Sequence, residues 1–518
     1  MSIVAMSGGA DIEANLKQFL LVLTVSLSVA TLPRILSWFR QIPYTLLLVI
    51  VGLGLAVLNI RLVELSPGLI LSIFLPPLLF EAAWNLQWKA LKQELLRVCL
   101  YAVLGVGIAI AGITIGLNQL ASVPLITALL IGASLSATDP VSVIALFREL
   151  GVGKRLNTLM EGESLFNDGM AVVAFNFLVA LPLGTADLSV QSAGTAFIQF
   201  VGVGLAVGGL IGFGISYLTQ RFDLPLVEQS LTLVSAYGSY LIAEELGGSG
   251  VIAVVITGLA LGNFGSRIGM NPRTRIIVTE FWEFLAFFVN SIVFLLIGTQ
   301  VQFHVLGDNL TIIAITIAVM VLIRAIAIYS LSALSNLSTE SKLPLSEQTV
   351  LVWGGLRGSV SIALALSVPA ILKEREEIIA TVFGVVLFTL LVQGLTIKPL
   401  LGSLNLLGDQ PLRQQFAEAI ARLAALRRVS DQITEAEQFP VIEQEFVRYQ
   451  QALVKGEITR LEKEIDTLQN ENPDLRAYAA EQFKLELLAT EAETYAEFVR
   501  AGRLNRELAP FLQEEISE

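Results

Sequence analysis

Apolar runs close to the roughly 20 residues that carry a helix across a bilayer follow one another from the N-terminus to residue 400. They predict thirteen membrane-spanning helices, at 14–33, 43–58, 67–86, 97–118, 124–147, 156–181, 195–218, 226–245, 250–264, 279–299, 310–333, 346–371 and 377–400. Two runs are interrupted: the fifth by Thr138-Asp139-Pro140 and the twelfth by Gly354-Gly355-Leu356-Arg357-Gly358-Ser359. With the seventh helix as a connector, each interrupted run is the fifth in its group of six. Matching interruptions in two halves point to inverted repeats with a site between them. Past residue 408 the pattern changes. Phe416, Ile420, Leu423, Ala424 and Val429 follow the spacing of an amphipathic helix that Pro440 ends, and a second helix is expected over Val441–Leu468. The expected architecture is an all-α polytopic membrane domain over residues 1–403, with a helical, water-soluble tail over 404–518.

Composition agrees with that reading. Hydrophobic residues make up 54% of the chain and charged ones 15%, where a soluble protein has about 25% charged; mean hydropathy is +0.72. Charge also orients the helices. Arg34, Arg40, Lys89, Lys92, Arg97, Arg148, Lys154, Arg155, Arg221, Arg267, Arg273, Arg275 and Lys342 fall in or beside one alternating set of loops. The other set holds only Lys17, Arg61, Lys373 and Arg375. Lys and Arg collect on the cytoplasmic side, so the N-terminus is expected outside and the C-terminus in the cytoplasm. From Gly408 onward 22 acidic residues face 13 basic ones, giving the tail −9 of the chain's −12. That balance disfavours nucleic acid as a partner. Cys99, the sole cysteine, excludes an internal disulfide and is expected to pack in the interior; His304 is expected in a plain loop. No GxSxG, HExxH or P-loop is present, so hydrolytic and nucleotide chemistry are not indicated, and neither an enzyme nor a resident cofactor is expected.

The informative residues are acids within apolar runs: Asp139 in SATDPVSVIAL, and Glu163 and Asp168 in EGESLFNDGMAVVAFNF. A charge at the bilayer centre costs about 2.5 kcal/mol or more on insertion scales, and by default marks an ion or proton pathway. Asp139-Pro140 reads as a helix N-cap followed by a first-position proline. The segment is thus expected as two half-helices, one ending near Ala137, with the carbonyls of Ser136, Ala137 and Thr138 exposed to a cation. In the sixth run Ser164 and Asp168 are one helical turn apart, as are Glu163 and Asn167. Desolvation and a nearby Asp139 both disfavour a bare carboxylate at Asp168. Such a group holds a proton or a cation but not both, which suffices for exchange. Glu163 needs a buried partner, and Arg324 or Arg357 can supply it. Arg357 is also placed to compensate carbonyls at its own helix break. Glu81, closing IFLPPLLFEAAW, is expected at the mouth of a pathway or at the interface. Glu161 receives no role.

The stretches FLPPLLFEAAW (74–84), SATDPVSV (136–143), EGESLFNDGMAVV (161–173) and GGLRGSVSIALALS (354–367) together resemble the monovalent cation/proton antiporters of the NhaP type, relatives of animal sodium/proton exchangers. The resemblance spans residues 14–400. It implies a homodimer in the bacterial inner membrane, each protomer having a core domain with two crossed, broken helices and a separate dimerisation domain. It implies Asp168 as the carboxylate shared by Na+ and H+, completed by Thr138, Asp139 and Ser164, with Glu81 close by; the cation itself would sit at Asp168, Ser164 and Thr138. The Asn167-Asp168 pair implies one-for-one, electroneutral exchange, and Glu163 is expected to pair with Arg324 rather than Arg357. The expected function is Na+ (or Li+) exchange for H+ by alternating access. K+ is the rival cargo, and a regulated cation channel the rival class.

Overall fold

The computed structural model describes residues 18–32, 35, 43–58, 60, 66–139, 141–182, 190–219, 224–270, 272–339, 341–407, 410–436 and 444–472, with scattered positions from 475 to 498. It separates into two compact units, Met1–Leu407 and Gly408–Glu518. Among the described residues, regular structure is entirely helical. Lys17, Arg34, Arg40, Arg61 and Arg221, on which the orientation reading drew, and Pro140 lie outside them.

In the first unit the helices are α1 (Gln18–Leu32), α2 (Tyr44–Val57), α3 (Leu69–Asn85), α4 (Trp88–Ala121), α5 (Leu125–Ser134), α6 (Val141–Leu150), α7 (Lys154–Ala180), α8 (Val190–Thr219) and α9 (Pro225–Glu245). They continue as α10 (Gly250–Ser266), α11 (Pro272–Thr299), α12 (Phe303–Asp308), α13 (Leu310–Ser338), α14 (Leu345–Trp353), α15 (Ser359–Leu366) and α16 (Arg375–Ser403). Among the described residues, five segments are long and apolar enough to cross a membrane: α4, Gly194–Thr219 of α8, Thr274–Thr299 of α11, α13 and α16. Shorter apolar helices lie between them.

Two packing groups matter for the site. Helix α11 packs on α2 and α3, and α3 on α10; α7 packs on α4 and α5. In α3, Pro76 and Pro77 lack the N–H that would close the preceding turn. That turn widens to π form over Leu69–Phe74, and the freed Ile73 carbonyl accepts from the Tyr237 hydroxyl at 3.0 Å.

Both sequence interruptions are real breaks. The first half-helix stops at Ser134, a turn earlier than expected, and the chain has no regular secondary structure at Ala137–Asp139 before α6 begins at Val141. The second break runs between Trp353 and Ser359. Cys99, expected inside, is exposed on the apolar helix α4. Arg97, assigned above to a loop, is buried. It bonds to Glu94 and, at 3.2 Å, to Ser335, while Arg155 meets the other Glu94 oxygen at 2.8 Å. His304 lies exposed in the short helix α12.

In the second unit α17 (Gln410–Ala436) packs against α18 (Gln444–Glu471). The inward positions are Leu412, Phe416, Ala419, Leu423 and Leu426 on α17, and Val447, Val454, Ile458, Leu461, Ile465 and Leu468 on α18. Their steps of three, four and seven follow the 3.5-residue repeat of a coiled-coil seam. The face expected from Phe416, Ile420 and Val429 is therefore corrected: Ile420 and Val429 are exposed, because a paired helix buries only the narrow seam.

Candidate functional site

The two unwound stretches meet. The Asp139 N–H donates to the Leu356 carbonyl at 2.8 Å, tying one break to the other. Asp139 then serves both second half-helices. Its Oδ1 accepts from the Val141 N–H at 3.1 Å, at the start of α6, and its carboxylate also accepts from the Ser359 N–H, at the start of α15. Two helix N-termini, each carrying partial positive charge, thus face one carboxylate. Gly358 makes this possible, since a Cβ there would overlap the Asp139 carboxylate.

Arginines serve the other ends. The Arg357 Nη1 donates to the carbonyls of Ala137 (2.9 Å) and Ser136 (3.4 Å), so it caps the opposite break, not its own as expected. Arg324 caps the C-terminal end of α14, donating to the Leu351 carbonyl at 2.8 Å and, through Nε, to the Val352 carbonyl at 3.2 Å. The same guanidinium grips Glu163 with two parallel bonds, Nη1 to Oε1 at 2.8 Å and Nη2 to Oε2 at 3.1 Å, a geometry that a planar fork makes strong. A Cβ at Gly355 would overlap the Arg324 side chain. Gly355 and Gly358 of GGLRG are therefore clearance for charged groups.

Helix α7 divides its polar residues between two faces. Glu163 and Asn167 face a small buried cavity, shared with Ser136, Arg324 and Arg357. Glu161, Ser164 and Asp168 line a second cavity of about 300 Å³. The rest of its wall includes Glu81 and Tyr44, Asp139 and Ser359 of the breaks, and Glu283 and Asn290 of α11. Glu283 is exposed, Glu161 half-buried and Asp168 only 7% exposed. The Asp168 Oδ1 is fully buried and, among the described residues, without a hydrogen-bond partner. An ionised carboxylate so placed is costly unless a proton or a cation compensates it.

The structure thus brings Asp139, Ser164, Asp168 and Glu81 to one cavity; the Asn85 amide donates to Glu81 at 2.6 Å. Thr138 and Asn167 it holds apart from that wall. The Asn167 amide donates to the Thr138 hydroxyl at 2.6 Å and accepts from the Thr138 N–H at 3.3 Å, so each satisfies the other. The three carbonyls expected to await a cation are likewise engaged: Ser136 and Ala137 by Arg357, and Thr138 by the Ser164 hydroxyl at 2.6 Å. Low dielectric makes an unpaired carbonyl expensive, and nearby donors satisfy all three. Sequence reasoning missed Glu161, Glu283, Asn290 and Ser359. Glu161, Ser164 and Asp168 follow three- and four-residue steps, as the cavity-lining Glu283, Ala286, Phe287 and Asn290 do, so spacing alone carried a signal.

Comparison with known proteins gives the context for this geometry. A family model described as the transmembrane sodium/hydrogen exchanger matches residues 22–402. The chain is 60% identical over 519 residues to the Na(+)/H(+) antiporter ApNhaP of Aphanothece halophytica, covering 100% of both chains. It is 55% identical over 514 residues to the low-affinity Na(+)/H(+) antiporter NhaS1 of Synechocystis sp., covering 98% of this chain and 97% of that one. Its fold is similar to the solved structure of the sodium proton antiporter MjNhaP1 from Methanocaldococcus jannaschii. The TM-score is 0.60 at 20% identity, over 74% of this chain and 99% of that chain. The protein is a membrane protein, and it belongs to the sodium/hydrogen exchanger family.

Proposed function

We propose that this protein exchanges Na+ for H+ across a membrane, with Asp168 as the group that holds each in turn. The observation that carries the reading is the Asp168 Oδ1, buried and unpartnered among the described residues, beside a cavity of about 300 Å³ whose wall also bears Asp139 and Ser164. Na+ binding displaces the proton because one carboxylate cannot hold both, and the reverse step reloads it. Asp139 has its charge compensated by two half-helix N-termini. This leaves Asp168 as the single exchanging acid and supports electroneutral one-for-one stoichiometry. Thr138 and Asn167 position Asp139 and α7 rather than touch the cation. No cofactor enters the cycle; Na+, Li+ and H+ are cargo. The names of the full-length relatives favour Na+ over K+.

The reading includes thirteen spans in two inverted repeats, a homodimer in lipid, an external N-terminus and a cytoplasmic, regulatory tail, in the inner membrane of a bacterial cell. Cavity-lining Glu161 and Glu283 lie nearer than Asp168 and Asn290 to the helix ends that carry Lys154, Arg155 and Arg275. By the positive-inside rule the cavity opens to the cytoplasm, one of the two states that alternating access requires.

The test uses purified protein in liposomes loaded with a pH-sensitive dye. Adding Na+ should dequench the dye, with Li+ second and K+ weak, and no single-channel current. A current without obligatory proton movement would replace the antiporter with a channel.

A further inference from the structure

The cavity is lined from two packing groups. Asp139, Ser164 and Asp168 belong to the break-and-α7 group, whereas α11, packed on α2 and α3, supplies the facing wall. From that wall Asn290 enters the cavity. It is 5% exposed, and its amide makes no hydrogen bond to the described residues. With no protein partner among the described residues, its amide is free to meet whatever occupies the cavity. Its neighbours along the cavity-lining face of α11, Ala286 and Phe287, are apolar. The Asp168 carboxylate and the Asn290 amide therefore line one cavity from two packing groups.

We propose that Asn290 is a cation-contacting residue: its amide oxygen binds the transported monovalent cation from the wall opposite Asp168. The inference rests on the exchange reading above and deepens it. A hard alkali cation prefers oxygen donors, and an amide carbonyl is a neutral one, so Asn290 adds a ligand without adding a second titrating group. Because the two oxygens belong to different packing groups, a bound cation bridges them. Occupancy then draws the walls together, whereas a proton on Asp168 bridges nothing of the kind. Na+ gathers more oxygen ligands than the smaller Li+, so losing one weakens Na+ more.

The test compares wild type, Asn290→Ala and Asn290→Asp as purified proteins in liposomes, with Na+ and Li+ titrated at several pH values. Asn290→Ala should raise the apparent KM for Na+ on the order of tenfold, the effect of one lost ligand worth about 1.4 kcal/mol, and the KM for Li+ by less. Its maximal rate should change little. Asn290→Asp keeps an oxygen at the same volume. It should retain Na+ affinity while moving the pH profile, because an added carboxylate on the cavity wall now competes for protons. Unchanged KM and unchanged Na+/Li+ preference in Asn290→Ala, alongside an active wild type, would overturn the assignment. If the alanine variant fails to fold, a pH profile and KM in Asn290→Asp identical to wild type would overturn it equally. Failure of the wild type itself to exchange would instead remove the functional reading.

Discussion

Glu163 and Asp168 lie five residues apart on one helix, and both are buried, at 3% and 7% exposure. They differ in what faces them. Glu163 is closed by a bidentate arginine, whose remaining donors cap a broken helix. Asp168 faces a cavity, and its Oδ1 finds no partner among the described residues. A carboxylate whose charge is permanently matched holds structure in place. One whose charge is left open binds whatever cation or proton arrives. Turning from one face of α7 to the other separates scaffold from chemistry.

Substitutions can break this contrast. The largest effect on transport is expected from Asp168→Asn, which removes the carboxylate proposed to exchange Na+ and H+ at nearly constant volume. Exchange should fall to the level of empty liposomes while the protein keeps its melting temperature. A loss of folding comparable to that of a Glu163 variant would erase the distinction.

Glu163→Ala and Arg324→Ala should show the opposite signature. Each leaves an unpaired buried charge, at a cost of about 3–5 kcal/mol, read as a lowered melting temperature and poor yield. The double variant should recover part of that loss, since coupled partners are non-additive. Additive effects would mean that the pair contributes no coupling.

Asp139→Asn sharpens the comparison from a third position. Asparagine can still cap the start of α6, so stability should change little. Removing the charge beside Asp168 should weaken apparent Na+ affinity on the order of tenfold, or about 1.4 kcal/mol. An unaltered affinity would make Asp139 a cap and nothing more.

The smallest effect is expected from truncation after residue 405. The tail buries its own seam between α17 and α18, and every cavity residue precedes it. The truncated protein should still exchange, with a changed pH set-point or maximal rate. Complete loss of exchange in a well-folded truncated protein would make the tail part of the transport cycle.

Much of this was legible in the sequence. Hydropathy marks the helices because a bilayer admits only segments that satisfy their own backbone. Asp-Pro and GGLRG marked the breaks because caps and glycines act locally. Isolated acids in apolar runs marked Glu163, Asp139 and Asp168, because burying charge is too expensive to be accidental. Glu161 and Glu283 escaped: an acid one or two turns from a helix end reads as interfacial until a cavity is seen beside it. The tail's seam escaped because a period of 3.6 and one of 3.5 differ little over four turns.

Tertiary structure alone decided the partners. Arg324 meets Glu163 across 161 residues of sequence, and Arg357 meets the Ala137 carbonyl across 220. Nothing near either arginine announces its target. Composition could state that three carbonyls and two arginines each needed a partner. Which donor met which acceptor depended on how the two breaks cross, and that crossing also left Asp168 on a cavity rather than on a guanidinium. Local chemistry determines what a segment can be, whereas long-range packing determines which of its charges stay open.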